Sequence, residues 1–201
     1  MKKDNSTFRK KVSLRRNLLS ELDDPIVLEA YGGYGRLWAA CYTQVEEGIV
    51  FEKDRAKAEV LARQRPAWAV YEGDCVEALG AGVGRHLLAN LYDLDPWGDP
   101  WPALEAAFSG ERPRPGRLCV AVTDGLRGKL VTGSGWACRS LVWAVQQYGN
   151  AALFANYRKI CLEMFGRLAE AAGYGLVKWT SYYCGHSQQM THYGAVLEKA
   201  S

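Results

Sequence analysis

A short turn in the sequence places an acid, a proline and a tryptophan in consecutive positions. Asp95, Pro96 and Trp97 stand in the stretch DLDPWG, which follows a strand-like apolar run and precedes a second Asp-Pro-Trp ending at Trp101. Such a turn offers a carboxylate that accepts hydrogen bonds, a proline that fixes the backbone, and an aromatic plane that can stack. Tryptophan is mostly buried in proteins, so both tryptophans could also be core residues. The stretch also contains two prolines, a glycine and two acids, which are uncommon in a hydrophobic core. We therefore interpret it as a functional loop.

A second segment, Val27 to Trp38, indicates a ligand site. A strand ends at Glu29, and a glycine-rich turn leads into a helix. Glycines let the backbone approach a ligand closely and adopt positive φ. Dinucleotide binding requires a third glycine three residues after Gly35, where this chain has Trp38, so a nicotinamide or flavin site is excluded. The remaining pattern is acid-x-x-x-G-x-G, carried by Glu29, Gly33 and Gly35.

The elements that position these turns alternate between strands and helices. Short apolar runs predict strands at Pro25–Tyr31, Gly48–Glu52, Ala67–Asp74, Leu87–Asp95 and Arg117–Asp124. Alternation of this kind predicts βαβ units and a doubly wound parallel sheet.

The C-terminal part of the chain differs from this alternation. Two helices are expected at about residues 135–148 and 153–172. Two β-rich runs follow without a helix between them, Tyr174–Tyr183 and Met190–Lys199, and they predict a hairpin whose last strand is antiparallel to its neighbour. The predicted fold is therefore an α/β, doubly wound, seven-stranded Rossmann-like sheet with a C-terminal antiparallel hairpin.

This arrangement, together with the acid-x-x-x-G-x-G turn, resembles the class I S-adenosylmethionine-dependent methyltransferases. The resemblance implies S-adenosylmethionine as the cofactor. Tyr31 occupies the first glycine position of the family's turn, as an aromatic residue often does in nucleic-acid amino-methyltransferases. Glu52, at the end of the second strand, would accept hydrogen bonds from the ribose hydroxyls, and Asp74 one from the adenine amino group. The cofactor-binding residues implied by the resemblance are Glu29, Tyr31, Gly33, Gly35, Glu52, Asp74 and Asp93.

The DLDPWG turn resembles a narrower family, the tRNA guanine-N2 dimethyltransferases, and the likeness extends from Val27 to Asp124, about half of the chain. In that family the turn binds the amine that is methylated. The lone pair of an aromatic amine is delocalised into the ring, and hydrogen bonds from its N–H groups to a carboxylate and a carbonyl localise it. Asp95 and Pro96 would therefore be the catalytic residues, with Trp97 stacking on the base as both a catalytic and a substrate-binding residue.

A segment rich in glycine and basic residues follows the fifth predicted strand. Arg127, Lys129 and Arg139 lie in it, and it could close over the substrate and bind phosphate. The alternative is a plain connecting loop. We treat the three basic residues as candidate substrate contacts.

The composition excludes several classes of protein. Apolar residues make up 48% and charged residues 23% of the chain, as in globular proteins. No apolar run reaches the roughly 18 residues of a membrane span, and no secretory signal is recognisable, so we expect a cytoplasmic protein without a membrane partner. The six cysteines are scattered, and Cys184, His186 and His192 match no standard zinc spacing, so we predict neither disulfides nor a metal site.

Positive charge is concentrated at the N-terminus. Residues 1–16 contain seven basic residues and one acid. We predict a basic N-terminal arm over residues 1–20 and a methyltransferase domain over residues 21–201. A basic arm attracts phosphates, whereas a solvated disordered tail explains the charge equally well.

These observations together predict an S-adenosylmethionine-dependent N-methyltransferase that modifies an amino group of a base in RNA, similar to tRNA, or in DNA, with RNA favoured. One alternative is a methyltransferase of a protein or small-molecule amine, and another is a catalytically silent cofactor-binding module. The tRNA enzymes carry an additional C-terminal domain that grips tRNA, and the 201 residues leave no room for it. A homodimer or a helper subunit could supply that grip.

Overall fold

A computed structural model describes residues 6–110, 112–130 and 138–200. Its centre is a seven-stranded sheet with the order β3-β2-β1-β4-β5-β7-β6. Strands β1 to β5 pair in parallel, and β7 pairs antiparallel with both β5 and β6. The strands are β1 Ile26–Glu29, β2 Glu47–Glu52, β3 Ala69–Glu72, β4 Leu91–Leu94, β5 Arg117–Asp124, β6 Tyr174–Cys184 and β7 Met190–Lys199. The predicted doubly wound sheet with its terminal hairpin is confirmed.

Helices cover both faces of the sheet. Those that the described residues form are α1 Ser6–Leu19, α2 Arg36–Cys41, α3 Arg55–Gln64, α4 Cys75–Gly80, α5 Trp101–Ser109, α6 Leu126–Leu130, α7 Arg139–Ala155 and α8 Tyr157–Ala171. Of the first predicted C-terminal helix, residues 135–137 lie outside the described residues. None of the helices in the described part of the chain is long and apolar enough to span a membrane.

The apolar side chains form two clusters, one on each face of the sheet. The larger lies under α4, α5, α7 and α8 and contains the fully buried Trp101 and Phe165. The smaller lies under α1 to α3 and contains Leu14, Leu18 and Trp68. Strand β5 contributes to both, because its residues alternate between the faces.

The basic N-terminal segment forms α1, which lies across β5 and β7. Leu14 and Leu18 are four residues apart and therefore share one helix face, and both are buried. Gly194 on β7 makes this packing possible, because a Cβ atom at that position would lie 2.8 Å from Leu14 Cδ1. Charge alone suggested an arm or a solvated tail, whereas the apolar stripe holds residues 6–19 against the sheet.

Candidate functional site

The carboxyl ends of the parallel strands bring the predicted glycine turn and the predicted acidic turn side by side. Strand β1 pairs with β4, with Glu29 opposite Asp93. The backbone N–H of Ala30 continues this ladder by donating to the carbonyl oxygen of Asp93 at 2.9 Å. The two segments that sequence reasoning selected independently therefore begin at neighbouring positions of one sheet edge.

The glycine turn after β1 is fastened to the end of β2. Gly32 N donates to Phe51 O at 3.0 Å, and Gly33 N donates to Glu52 Oε2 at 2.8 Å. The other carboxylate oxygen of Glu52 accepts from Asp54 N at 2.9 Å. Glu52 therefore orients the turn, and its partly exposed carboxylate remains at the sheet edge where a ribose contact was predicted.

Gly33 and Gly35 both have positive φ, at 54° and 73°, but their surroundings differ. A Cβ atom at Gly33 would meet no heavy atom within 4 Å, so this backbone faces open space. A Cβ atom at Gly35 would lie 2.5 Å from Gln64 Oε1 and 3.2 Å from Arg65 Nη2. Gly35 is therefore required for packing against α3, whereas Gly33 leaves room for a ligand to approach the backbone.

Glu29 is buried at the end of β1, where its carboxylate forms an ion pair with the guanidinium of Arg65. The guanidinium contacts two indole rings, 5.2 Å from the centroid of Trp38 and 5.1 Å from that of Trp68. Burial raises the pKa of Glu29 to about 7, although the Arg65 charge acts in the opposite direction. Glu29 thus supports the base of the glycine turn, and a direct cofactor contact stays a prediction.

Two further predicted cofactor residues lie near the start of α4. Asp74 is exposed and caps this helix, with its Oδ1 accepting from Val76 N at 2.8 Å. Tyr31 is half-buried beside Cys75, and burial is the main cause that raises the pKa of its phenol. Both residues follow strands of the parallel part of the sheet, as the prediction required.

Asp93 is fully buried and is held by a helix that sequence reasoning did not connect with it. Arg15 of α1 donates to it twice, from Nε to Oδ2 at 2.7 Å and from Nη2 to Oδ1 at 2.6 Å. The hydroxyl of Tyr42 donates to Oδ2 at 2.7 Å. Asp93 and Asp95 together outweigh burial and raise the pKa of Arg15 above its ordinary value. The Asp93 carboxylate thus points into the protein and contacts Arg15 and Tyr42, and the described structure does not show it facing the predicted cofactor site.

Asp95, two residues further along, lies beside the buried Arg15–Asp93 pair and is partly exposed. Lys11 Nζ contacts its Oδ1 at 2.6 Å, and Arg15 Nη2 lies 3.9 Å from that oxygen. Burial alone would raise the pKa of Asp95, but the Arg15 and Lys11 charges outweigh it and hold the pKa below the usual value. Asp95 is therefore a carboxylate at neutral pH, as an acceptor of amine N–H groups has to be.

The two tryptophans of the acidic turn have opposite environments. Trp97 is fully exposed, whereas Pro96 before it is buried. Trp101 is fully buried in the core, and its Nε1 donates to Asp124 Oδ2 at 3.2 Å. The turn is held in place from β5, because Gly125 N donates to Gly98 O at 2.7 Å. Of the two rings, only that of Trp97 can stack on an incoming base.

The three basic residues predicted to contact substrate do not form one group. Lys129 of α6 lies beside Gly98, with its Nζ 3.2 Å from the position of a Cβ atom there, and thus near Trp97. Arg127 Nη1 donates to Gln188 O at 2.7 Å, at the hairpin. The exposed Arg139 begins α7 and lines a separate groove of about 610 Å³ between α5, α7 and α8. The central part of this predicted loop, residues 131–137, lies outside the described residues.

Sequence reasoning missed the contribution of α1 to the site. Lys11 and Arg15 are four residues apart on one helix face, and Asp95 follows β4 two residues after Asp93. These spacings were visible in the sequence as a possible pair of ion pairs. The long separation along the chain hid the pairing, because periodicity shows which residues share a face but not which faces meet.

No protein-family model matches this chain, and no curated protein matches it in sequence. Solved structures do match it. Trm1 from Pyrococcus horikoshii, solved with S-adenosyl-L-methionine, superposes with a TM-score of 0.66 at 18% identity over 96% of this chain and 56% of that chain. This chain therefore spans little more than half the length of that protein.

Two other solved structures show the same sheet. The N-methyltransferase NodS from Bradyrhizobium japonicum matches with a TM-score of 0.58 at 11% identity, over 98% of this chain and 99% of that one. PH1948 from Pyrococcus horikoshii, a proposed RNA methyltransferase, matches with a TM-score of 0.55 at 12% identity, over 100% and 87%. The chain therefore has the Rossmann-like fold of the class I S-adenosylmethionine-dependent methyltransferases.

Proposed function

We propose that this protein is an S-adenosylmethionine-dependent N-methyltransferase that modifies an amino group of a base in RNA. The observation that carries the proposal is the adjacency of the two turns. The open backbone of Gly33 follows β1, and the Asp95-Pro96-Trp97 turn follows β4, the strand paired with β1. A methyl donor on the first turn and an amine on the second would lie next to each other.

The residues present fit the cofactor. Gly33 leaves space for close approach of a ligand, Glu52 offers a carboxylate to the ribose hydroxyls, and Asp74 lies where the adenine is expected. Bound there, S-adenosylmethionine would supply an electrophilic methyl group. The Trm1 structure was solved with this molecule, which supports the same cofactor here.

The acidic turn would prepare the amine for methylation. The ionised carboxylate of Asp95 accepts an N–H bond from the amine, and the backbone of the turn accepts the second. Both bonds draw the amine lone pair out of the ring and towards the donor site. The exposed ring of Trp97 stacks on the base and holds its plane. Catalysis would consist mainly of alignment, without a covalent enzyme intermediate.

The surface charge favours RNA over a protein or small-molecule amine. The outward face of α1 exposes Arg9 and Arg16, and Lys10 is exposed at its side, near the Tyr182 ring. A groove of about 400 Å³ runs along this face, and Arg9 and Arg16 line it together with Phe8. Such a basic strip suits a phosphate backbone. The choice of RNA over DNA rests on the resemblance of the DLDPWG turn to the tRNA guanine-N2 dimethyltransferases and on the structural match to PH1948.

Two measurements in sequence test the proposal. Calorimetric titration with S-adenosylmethionine, its demethylated product and NADH should show binding of the first two and not of the third. Transfer of labelled methyl groups to unmodified tRNA transcripts, other RNA, DNA and protein should then identify RNA as the acceptor. Labelling of protein but not of RNA would contradict RNA as the acceptor and favour the alternative, a methyltransferase of protein amines.

The Asp95→Ala variant tests the acidic turn itself. It should abolish methyl transfer and leave the affinity for S-adenosylmethionine unchanged. The matched control is Asp23→Ala, which removes an exposed carboxylate before β1. A wild-type rate in Asp95→Ala would show that this turn does not act on the substrate. Absence of both cofactor binding and transfer in the wild type would overturn the enzymatic proposal.

A further inference from the structure

Helix α1 and strand β4 meet through a two-by-two arrangement of charges. Lys11 and Arg15 project from one face of α1; Asp93 lies in β4, and Asp95 follows the end of that strand. Arg15 pairs with Asp93 and Lys11 with Asp95, both at 2.6 Å, and Arg15 also lies 3.9 Å from Asp95. These ion pairs hold α1 in a defined position against the acidic turn. In that position the ammonium group of Lys11 contacts the proposed catalytic carboxylate of Asp95.

The two ion pairs differ in kind. The side chains of Arg15 and Asp93 are both 0% exposed, and two parallel hydrogen bonds join them. This is a structural pair, closed to any ligand. The side chains of Lys11 and Asp95 are 17% and 19% exposed, and a single contact at Oδ1 joins them. The Lys11–Asp95 pair is partly exposed, so a substrate can reach it. The contact of Lys11 with Oδ1 restricts rotation of the Asp95 carboxylate and leaves Oδ2 to accept an N–H bond.

Among the described residues that act on Asp95, the positive charges belong to α1. Arg15 and Lys11 face it from α1, and Thr123 faces it from β5. His192 of β7 also lies nearby, with Tyr182 of β6 beside the imidazole. Burial, with Lys11 and Arg15, lowers the pKa of His192 to about 3, so this imidazole is neutral near pH 7. Arg15 forms its close ion pair with Asp93, whereas Lys11 forms its close ion pair with Asp95.

We propose that Lys11 is a positioning residue of the active site: its ammonium group orients the Asp95 carboxylate towards the substrate amine. This inference rests on the proposed function and extends it, because it makes α1 part of the catalytic machinery. A neutral Asp95 carboxyl would offer a donor hydrogen to the amine and lose an acceptor site. A freely rotating carboxylate would align the amine poorly, and misalignment by about 1 Å can cost roughly 100-fold in rate.

Three variants separate positioning from simple stabilisation. Lys11→Met keeps an unbranched side chain one atom shorter and without the charge, and Lys11→Arg keeps the charge. Lys178→Met is the matched control, because Lys178 pairs with Glu21 at the same N–O distance of 2.6 Å on the exposed edge strand β6. Each protein is examined for methyl transfer to RNA against pH, for affinity towards S-adenosylmethionine, and for urea unfolding by circular dichroism.

We expect Lys11→Met to lower kcat by about 10- to 100-fold with an unchanged affinity for S-adenosylmethionine. The acid limb of its kcat profile should move to higher pH, because removal of the Lys11 charge raises the pKa of Asp95. Lys11→Arg should recover most of the rate, and Lys178→Met should behave as wild type. A wild-type kcat and an unmoved acid limb in a folded Lys11→Met would overturn the inference.

A second measurement does not depend on activity. The carboxyl carbon of Asp95 is titrated by nuclear magnetic resonance in the wild type and in Lys11→Met, with Asp95→Asn identifying the signal. A higher pKa in Lys11→Met is expected, and an equal pKa would contradict control by Lys11. Failure of the wild type to methylate any acceptor would refute the proposed function, and the titration would still show whether Lys11 sets the ionisation of Asp95.

Discussion

Arg15 and Asp93, 78 positions apart in the chain, form a fully buried ion pair with two parallel hydrogen bonds of 2.6 and 2.7 Å. The pair joins the N-terminal helix to the central strand of the sheet. Tyr42 adds a third donor to the same carboxylate. Removal of one partner would leave the other as an uncompensated charge inside the protein, and this is far more costly than the loss of a surface pair.

Arg15→Met should therefore lower the free energy of unfolding by about 3–5 kcal/mol. The double variant Arg15→Met/Asp93→Leu should be no less stable than Arg15→Met, because the second change removes the unpaired carboxylate. Arg117→Met is the control, since Arg117 forms an exposed pair with Glu198 and its loss should change little. Urea unfolding measures all three, and a double variant clearly less stable than Arg15→Met would contradict the buried-pair account.

Gly33→Ala and Gly35→Ala should separate cofactor binding from folding. Both residues have positive φ, so each alanine costs about 1 kcal/mol in backbone strain. In Gly33→Ala the added methyl group meets only open space, so this variant should fold. It should bind S-adenosylmethionine at least about tenfold more weakly, because the methyl group occupies the side from which the ligand is proposed to approach.

Gly35→Ala should instead lose stability beyond the strain, by about 1–3 kcal/mol, because its methyl group meets the side chains of Gln64 and Arg65. Thermal unfolding and calorimetric titration of the two variants give the comparison. An unchanged affinity for S-adenosylmethionine in Gly33→Ala would place the cofactor elsewhere.

Trp97→Ala should affect substrate binding without affecting stability. The ring is fully exposed, so its removal should change the free energy of unfolding by less than about 0.5 kcal/mol. Loss of stacking on one base is worth about 1–3 kcal/mol, which corresponds to an increase of roughly 5- to 150-fold in the KM for RNA. Trp97→Phe should restore most of the affinity. A KM that does not change in Trp97→Ala would remove this residue from the substrate site.

Asp124 should make the stability depend on pH. It is fully buried, and burial raises its pKa to about 7 despite hydrogen bonds from Leu126 N, Tyr157 and Trp101. A carboxyl whose pKa is raised on folding is stabilising in its protonated form, so its contribution is full below its ordinary pKa near 4 and is lost as the pH rises through 7.

The difference in unfolding free energy between wild type and Asp124→Asn should therefore shift against the wild type between pH 5 and 7, by at most about 1.4 kcal/mol per pH unit. The comparison cancels the contributions of Glu29 and His192, which are common to both proteins. Urea titrations at pH 5, 6, 7 and 8 measure it. A difference independent of pH would mean that Asp124 stays ionised in the folded protein.

Local patterns in the sequence were enough to predict the sheet. The apolar run Leu118–Val122 of β5 and the two β-rich runs at the C-terminus indicated a buried strand and a terminal hairpin, and both are present. The glycine turn also follows from local rules, since Gly33 and Gly35 adopt the positive φ that their spacing implied. Short-range backbone preferences and hydrophobic periodicity determine these features, so one stretch of chain contains the whole signal.

Contacts between distant segments decided the rest. Trp97 and Trp101 follow the same Asp-Pro dipeptide, yet one is fully exposed and the other fully buried, because α5 turns only the second towards β7 and Asp124. The basic charge of residues 6–19 looked like an arm for phosphates, but Lys11 and Arg15 point inward to acids 84 and 78 positions away. The sequence by itself determined which residue types were available and which of them share a face. Only the tertiary structure decided which faces meet, because the free energy of an ion pair or a buried ring depends on neighbours that are remote along the chain.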